Sequence, residues 1–315
     1  MTPIEKLLLD LIKIPSVSGQ EKEIGNFLVS RLNGFKVRKQ YIDKEIFNVI
    51  AEKGKSDIWI VAHMDTVPGS VPIKMTKDKI YGRGAVDNKA SIAGAIMAGR
   101  KLKDINLLFT VSEEKDFSGA KKAQKIIGKE KAIVMEATGF EIYNSQRGVI
   151  GFTVRAKVKQ KHSSLIEDKN ESAFHNLIDA LNLMMHKNWT AFNVGLMNGG
   201  VAINVVAGEA EAHVSVRPDD DKEYDEIKKY LKELKARKNI VIKIINDIKP
   251  FTSKLGIKGK RKKAFTEMAF FPNSFLFGAG NMDVAHSANE YISRKELNKL
   301  EKELLKAVNK LHIYH

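Results

Sequence analysis

Histidine and carboxylate residues follow apolar segments of this chain in a pattern typical of a metal site. His63 ends a strongly apolar run with β-branched residues, and Asp65 lies two positions later. Asp87 opens an alanine-rich segment after a glycine-rich turn. In an open α/β fold, parallel strands end at a common edge of the sheet, where sites form. We therefore predict that these side chains lie together at such an edge.

Three later segments repeat this layout. Glu113 and Glu114 follow an apolar run, Glu136 follows the next one, and His286 lies in a segment rich in glycine and asparagine. Taken singly, each has an ordinary explanation: an exposed strand end, a solvated loop carboxylate or a surface histidine. Together they supply two imidazoles and several carboxylates without a thiol, a mixture that holds hydrolytic zinc pairs.

The composition limits the class of protein. With 315 residues, of which 43% are hydrophobic, the chain can form one large domain or two modest ones. No segment approaches the roughly 20 apolar residues of a membrane span, and the amino terminus lacks a signal-peptide pattern. We therefore expect a cytoplasmic protein with no membrane partner. The absence of cysteine excludes disulfides and thiolate metal ligands.

The charge balance points to an acidic partner. The chain has 53 basic and 38 acidic residues, a net charge of +15. Such an excess attracts acidic molecules. The densest basic stretch, residues 258–263, is too short and too poor in aromatics to resemble a nucleic-acid-binding module, so no nucleic-acid partner is expected. A solvated turn is the simpler interpretation of that stretch, and docking of an acidic protein is the alternative.

The order of patterns predicts an α/β fold with an insertion. Alternating strands and helices over residues 1–146 and 250–315 predict a domain with a mainly parallel mixed sheet flanked by helices. Residues 147–249 are predicted to form an inserted α+β domain of four antiparallel strands and two helices. Capping boxes at Thr2 and Ser18 predict two amino-terminal helices, and residues 202–217 a long strand stretch.

The sequence resembles the cocatalytic di-zinc aminoacylases and carboxypeptidases, a family that includes acetylornithine deacetylase, succinyl-diaminopimelate desuccinylase and carboxypeptidase G. The resemblance covers essentially the whole chain. It rests on His-x-Asp, Gly-Arg-Gly-x-x-Asp, paired glutamates, a later Glu-x-Thr and a terminal His-x-x-Asn-Glu. It implies a zinc-peptidase-like catalytic di-metal domain over residues 1–146 and 250–315 and an inserted lid or dimerisation domain over residues 147–249. The implied reaction is the metal-dependent hydrolysis of linear amide bonds.

The resemblance also implies a ligand set. His63 and Glu136 would bind one zinc ion, Glu114 and His286 would bind the other, and Asp87 would bridge them. The expected cofactors are thus two zinc ions per subunit, with cobalt able to substitute.

Two further roles near the metals follow from the same resemblance. Glu113 is identified as the general base that takes a proton from the attacking water. Asp65 matches the carboxylate that orients His63, a role expected because a neutral imidazole ligand needs its other nitrogen fixed. The peptide bond between Asp87 and Asn88 is expected to be cis.

Three residues of the inserted domain match family positions. His162 matches the histidine that reaches a neighbouring subunit's site and stabilises the oxyanion, which implies a homodimer. Arg217 matches the arginine that clamps a substrate carboxylate, and Asn204 resembles its polar companion. The ordinary alternatives are an exposed loop histidine, an arginine in a salt bridge and a strand-end asparagine.

The segment Tyr81–Asp87 and the compact length of the chain narrow the range of expected substrates. Both most resemble hydrolases that release lysine or ornithine from an acidic amino-group carrier protein in lysine and arginine biosynthesis. Phe265 replaces a flexible glycine of the family pattern, and Gln160 and Lys161 precede His162 where smaller residues are commoner. Other small acylated amino acids therefore stay open: acetylornithine or acetyl-lysine deacetylation, then succinyl-diaminopimelate hydrolysis, then dipeptide cleavage. A non-catalytic binding protein on this fold is the non-enzyme alternative.

Overall fold

The computed structural model describes residues 1–312. The helices are α1 (Pro3–Ile12), α2 (Lys22–Arg31), α3 (Lys89–Lys101), α4 (Ser118–Ile127), α5 (Ala173–Met185), α6 (Asp221–Lys235) and α7 (Arg294–Leu311). The strands are β1 (Lys36–Tyr41), β2 (Phe47–Lys53), β3 (Ile58–His63), β4 (Lys74–Met75), β5 (Lys79–Tyr81), β6 (Ile105–Thr110), β7 (Lys131–Met135), β8 (Tyr143–Gln146), β9 (Val149–Lys157), β10 (Phe192–Gly199), β11 (Glu209–Val216), β12 (Ile240–Ile248), β13 (Phe251–Thr252), β14 (Lys260–Lys262), β15 (Asn273–Phe277) and β16 (Tyr291–Ser293).

The chain divides into two compact units. The larger unit contains residues 1–145, 252–261 and 266 onward, and the smaller contains residues 146–251 and 262–265. Each unit has a hydrophobic cluster of its own. Within residues 1–312, no helix combines the length and the apolar character needed to cross a membrane.

The larger unit is built on a mixed sheet. Its nine strands run in the order β1-β2-β6-β3-β7-β15-β8-β13, with β14 beside β8. The neighbours β6, β3, β7 and β15 are parallel to one another, whereas β1, β2 and β8 pair antiparallel. Every residue of β3 and β6 is buried, as expected of central strands covered on both faces. The predicted α/β class with a mixed sheet flanked by helices is confirmed, and the four parallel strands lie at the centre of that sheet.

Helices cover both faces of this sheet. Buried residues of α1, α2, α3 and α7 join one face of the sheet in a single cluster. The α3 helix is rich in alanine, and Gly94 lets Leu300 of α7 approach its backbone. The buried residues of α4 lie outside that cluster, and α4 contacts β2 and β6. The two layers therefore shield the central strands from water.

The two predicted capping boxes have different outcomes. At α1, Thr2 and Glu5 form the box as predicted. At α2 the prediction is wrong, because the helix begins at Lys22 and Glu21 makes no side-chain cap. The hydroxyl of Ser18 instead donates to Asp65, at 2.6 Å. A local sequence pattern was here overridden by a tertiary contact.

A buried ion pair joins α1 to α7. The Glu5 side chain is fully buried, and its carboxylate accepts hydrogen bonds from Arg294 Nε at 2.8 Å and Asn298 Nδ2 at 2.9 Å. The Arg294 hydrogen bond holds the pKa of Glu5 at about 2. Removing one partner of such a pair is strongly destabilising. Glu5 is thus a structural carboxylate with no contact to the residues predicted to do chemistry.

The smaller unit contains the predicted antiparallel sheet with two helices. Its strands run β10-β11-β9-β12, and α5 and α6 bury their apolar sides against one face. The expected long strand over residues 202–217 is wrong in extent, because β11 starts only at Glu209. The edge strand β10 was not predicted, since five of its eight residues are exposed in a row and give no alternating pattern.

Candidate metal centre

The carboxyl ends of four adjacent parallel strands deliver the candidate residues. His63 is the last residue of β3, Glu136 follows β7 directly, and Glu113 follows β6 after a two-residue turn. His286 comes after β15, the fourth strand. His63 pairs in register with Thr110, and Met135 with Phe277, so these ends lie at one edge. Parallel pairing thus brings together residues separated by more than two hundred positions.

Asp87 lies between two imidazoles. His63 Nε2 is 3.0 Å from Asp87 Oδ1, and His286 Nε2 is 3.1 Å from Asp87 Oδ2. His286 Nε2 is also 2.7 Å from Glu114 Oε1. The Asp87–Asn88 peptide is cis, as expected. Each oxygen of one carboxylate therefore contacts a different histidine, an arrangement suited to bridging two cations.

Asp65 orients both a histidine and the glutamate pair. Its carboxylate accepts hydrogen bonds from the backbone N–H groups of Glu113 and Glu114, at 3.0 and 3.1 Å. His63 Nδ1 lies 3.1 Å from the Asp65 carbonyl oxygen and 3.5 Å from Oδ1. The hydroxyl of Ser18 completes the set. Asp65 therefore contacts both His63 and the turn that carries the glutamates.

The glutamate-bearing turn is held in an uncommon conformation. Ser112 has a φ of 58°, in the left-handed region that few residues other than glycine adopt. Its backbone N–H donates to Glu21 Oε1 at 3.0 Å, and its carbonyl accepts from Asp116 and Phe117. Glu21 is almost fully buried. These contacts offset the strain that the turn carries.

Two groups of ligand atoms are close enough to hold a cation. Within residues 1–312, one group is His63, Glu113 and Glu114, and the other is Asp87, Glu114 and His286. Neither includes Glu136. Glu136 is buried at the end of β7, and its charge contributes to raising the pKa of Glu113. The geometry thus gathers five of the six residues predicted as ligands or base, all but Glu136, and Glu113 is close enough to the ligand atoms to act as base or ligand.

Contacts between the histidines and carboxylates of the site shift their pKa values. Burial would lower the pKa of His63, but hydrogen bonds with Asp65 and Asp87 raise it well above the usual value. Hydrogen bonds with Asp87 and Glu114 raise the pKa of His286 to about 10. Burial would raise the pKa of Asp87, but the two histidines hold it well below its usual range. Without a cation the His286 imidazole therefore carries a proton near neutral pH, which cation binding must displace.

The donor set fits divalent transition-metal cations. It offers imidazole nitrogens and carboxylate oxygens without thiolates, as zinc, cobalt and manganese accept. His63 is almost fully buried and Glu114 largely so, whereas nearly half of the His286 side chain is exposed. The centre therefore has a rigid inner wall and an open side that a substrate could reach.

Burial raises the pKa of Glu113. Its side chain is almost fully buried, and burial raises its pKa well above the usual value. The charge of His63 opposes that shift, and the charges of Glu136 and Glu267 add to it. A carboxyl group with a raised pKa is suited to general acid–base work near neutral pH.

A further buried carboxyl group, Glu267, was not predicted as part of the site. Its Oε2 accepts a hydrogen bond from the Thr110 hydroxyl at 2.9 Å, and its Oε1 has no hydrogen-bond partner within residues 1–312. Burial raises its pKa to about 8, with smaller contributions from Asp65 and Glu136. The only signal for Glu267 in the sequence was its place close to Phe265, which departs from the family pattern.

Replacement of Glu267 by glutamine is expected to change how stability depends on pH. In the metal-free protein Glu267 binds a proton up to about pH 8, whereas its pKa after unfolding is near 4.5. The folded state therefore binds more protons between these values, and its stability falls as pH rises. Glu267→Gln removes this loss. The free energy of unfolding of the variant minus that of wild type should therefore rise by about 1.4 kcal/mol for each unit by which the pH is raised.

Chemical denaturation at pH 5.5 and pH 8 measures this effect. Glu5→Gln is the matched control, because a carboxyl with a folded pKa of about 2 stays ionised throughout this range. Its stability difference from wild type should be the same at both pH values. An equally constant difference for Glu267→Gln would contradict the raised pKa.

The remaining candidates lie in the smaller unit. His162 is exposed, with Nδ1 2.8 Å from Ser164 Oγ, and its segment pairs with residues around Asn204. Arg217 is partly buried, and burial lowers its pKa. Within residues 1–312 its guanidinium has no ion pair, so the salt-bridge alternative is not found. A partly buried cation without a counterion is suited to binding an anion.

Comparisons with known proteins identify the family of this chain. The model of peptidase family M20/M25/M40 matches residues 59–310. The chain belongs to this family. It is 32% identical over 270 residues to a probable carboxypeptidase of Aspergillus clavatus, a match covering 70% of this chain and 65% of that protein. It is 28% identical to a peptidase M20 domain-containing protein of Schizosaccharomyces pombe, covering 91% of this chain and 79% of that one.

Solved M20-type structures share the fold. A tripeptidase of Staphylococcus aureus superposes with a TM-score of 0.83 at 20% identity, covering 96% of both chains. A dinuclear metal-binding M20 peptidase of Bacillus subtilis gives 0.74 at 15% identity, also covering 96% of both. The M20 family comprises metal-dependent peptidases, and the cluster around Asp87 supplies suitable ligands in this member.

Proposed function

We propose that this M20 member is a metal-dependent amide hydrolase in which Asp87 bridges two cations. The observation that carries the proposal is the contact of each Asp87 oxygen with a different imidazole. His63 and Glu136 would complete one cation site, and Glu114 and His286 the other. Zinc is the proposed metal, with cobalt as a substitute.

The reaction requires a water molecule, a base and an amide carbonyl. Bound cations would polarise the carbonyl and make the water more acidic. Glu113 accepts a proton from that water molecule while the water oxygen attacks the carbonyl carbon. When the carbon–nitrogen bond breaks, Glu113 returns the proton to the departing nitrogen. The raised pKa of the buried Glu113 carboxyl supports this double role.

The proposed substrate is an acylated lysine or ornithine, carried as a γ-glutamyl amide on an acidic amino-group carrier protein in lysine and arginine biosynthesis. The net charge of +15 supports an acidic partner, because opposite charges accelerate encounter. Arg217 and Asn204 are proposed to bind the substrate. The deacetylase and desuccinylase activities are alternatives within the same chemistry.

A dipeptidase, tripeptidase or carboxypeptidase activity is the second candidate. It is favoured by the names of the relatives, which include a probable carboxypeptidase and a tripeptidase. Both candidates use the same metal centre and differ only in the group bound on either side of the amide. The choice therefore depends on substrate recognition in this chain.

A substrate panel separates these candidates. The purified protein, loaded with zinc or cobalt, is assayed for release of free amino acid from carrier-bound and N-acyl lysine and ornithine, N-succinyl-diaminopimelate, dipeptides and tripeptides. We expect the highest kcat/KM for carrier-bound lysine or ornithine, with a rate that falls as salt rises. Higher kcat/KM for peptides would favour the second candidate, and no turnover by the metal-loaded protein would overturn both.

We also propose that the protein is a homodimer in which His162 of one subunit acts at the site of the other. The exposed position of His162 and its fixed ring support this proposal. Mixing His162→Ala with Glu113→Gln protomers should restore part of the activity, because each mixed dimer contains one complete site. No recovery after subunit exchange would count against it.

A further inference from the structure

Glu290 is a fully buried carboxylate next to the metal centre. Its Oε1 accepts hydrogen bonds from the backbone N–H groups of Val86 and Asp87, at 3.1 and 3.2 Å. Its Oε2 accepts a hydrogen bond from Arg83 Nη1 at 2.7 Å. All three donors belong to the turn that ends at Asp87.

The backbone around Glu290 is tied to the same turn. The Glu290 carbonyl accepts the N–H of Gly82 at 3.2 Å, and β16 pairs with β5 so that Tyr291 faces Tyr81. Four residues before Glu290, His286 has a φ of 60° and contacts Asp87 through its imidazole. The segment that carries His286 is thus fastened to the segment that carries Asp87.

We propose that Glu290 is a positioning residue that fixes Asp87 relative to His286 and so sets the affinity for the cations. This inference rests on the proposed di-metal function. The Glu290 carboxylate accepts hydrogen bonds from two sets of donors, the backbone amides on one oxygen and the Arg83 guanidinium on the other. Its negative charge strengthens these hydrogen bonds. Asp87 can then present its two oxygens outward, each to one imidazole.

Glutamine cannot replace Glu290 in this role. Its side chain has the same shape but only one acceptor oxygen, and its NH₂ group can only donate. Whichever way the amide turns, either Arg83 or the Val86 and Asp87 amides must face a donor. Glu290→Gln therefore disturbs the Asp87 turn with a minimal change of volume.

The test is the cation affinity of the whole protein, measured by calorimetric titration with zinc. We expect Glu290→Gln to bind zinc about 10- to 100-fold more weakly than wild type, as is usual when a partner of a ligand is changed. Its kcat should recover when free zinc is raised, because the reacting groups are intact. Glu5→Gln is the control: it also loses a buried carboxylate bound by an arginine, but should keep the wild-type affinity at a lower Tm.

The outcomes are separable. If wild type binds no zinc, the proposed function fails; if it does and Glu290→Gln binds equally tightly, the role of Glu290 alone is overturned. An equal loss of affinity in Glu5→Gln would also overturn it, because the effect would then follow stability. If Glu290→Gln does not fold, Arg83→Met is measured in its place, because it removes one hydrogen-bond donor to the Glu290 carboxylate. Weaker zinc binding by Arg83→Met supports the positioning role of Glu290, and unchanged binding overturns it.

Discussion

Glu113→Gln should lose turnover while retaining both cations. Glutamine keeps the shape of the side chain but cannot accept a proton from water, so we expect kcat to fall by about 10²- to 10⁴-fold. The loss arises in the chemical step alone if Glu113 is the proposed base and not a ligand. Metal analysis of the dialysed variant and its kcat on the best substrate measure the two properties separately.

The neighbouring residue gives the matched control. Glu114 is adjacent in sequence and also largely buried, but its Oε1 lies 2.7 Å from His286 Nε2. Glu114→Gln should therefore lose a cation as well as activity. Because Glu113 also lies close to His63 and Glu114, a ligand role for it is a real alternative. Loss of a cation from Glu113→Gln would establish that alternative and contradict the base assignment.

Asp87→Asn should have the largest effect on metal binding. Its carboxylate contacts both imidazoles, and an amide offers one weak acceptor oxygen in place of two anionic ones. We expect fewer than two cations to be retained, with an affinity loss beyond the roughly 10- to 100-fold typical of outer partners. In the metal-free variant, the pKa of His286 should also fall from its value of about 10. Metal analysis and an NMR titration of His286 measure these effects.

Asp283→Asn is the control for this substitution. Asp283 is close to His286 in sequence, but its side chain bonds to Asn281 and contacts no candidate ligand. It should keep both cations and the histidine pKa. Full cation binding by Asp87→Asn would show that this carboxylate does not bridge the metals.

The sequence predicted the parts of the fold that local patterns control. The cap of α1 forms as the pattern at Thr2 predicts. The exposed strand β10 was missed because it has no buried face to produce alternation. Ser18 was misassigned because a capping pattern carries no information about Asp65, 47 residues away.

For the metal centre, the sequence predicted the candidate residues but not every contact that positions them. The ligand-bearing residues end strands or follow motifs, so their types and order could be read directly. Glu267 and Glu290 could not be assigned roles, because those depend on burial and on partners such as Thr110 and Val86 from distant segments. Sequence patterns thus predicted the candidate ligands and base, whereas the contacts of Glu267 and Glu290 required the three-dimensional structure.

An anomalous difference map at the zinc absorption edge, from crystals grown with zinc, shows whether Asp87 holds two cations. We expect two peaks, one on each side of the Asp87 carboxylate, the first beside His63 and the second beside His286. A single peak, or peaks away from Asp87, would contradict this expectation.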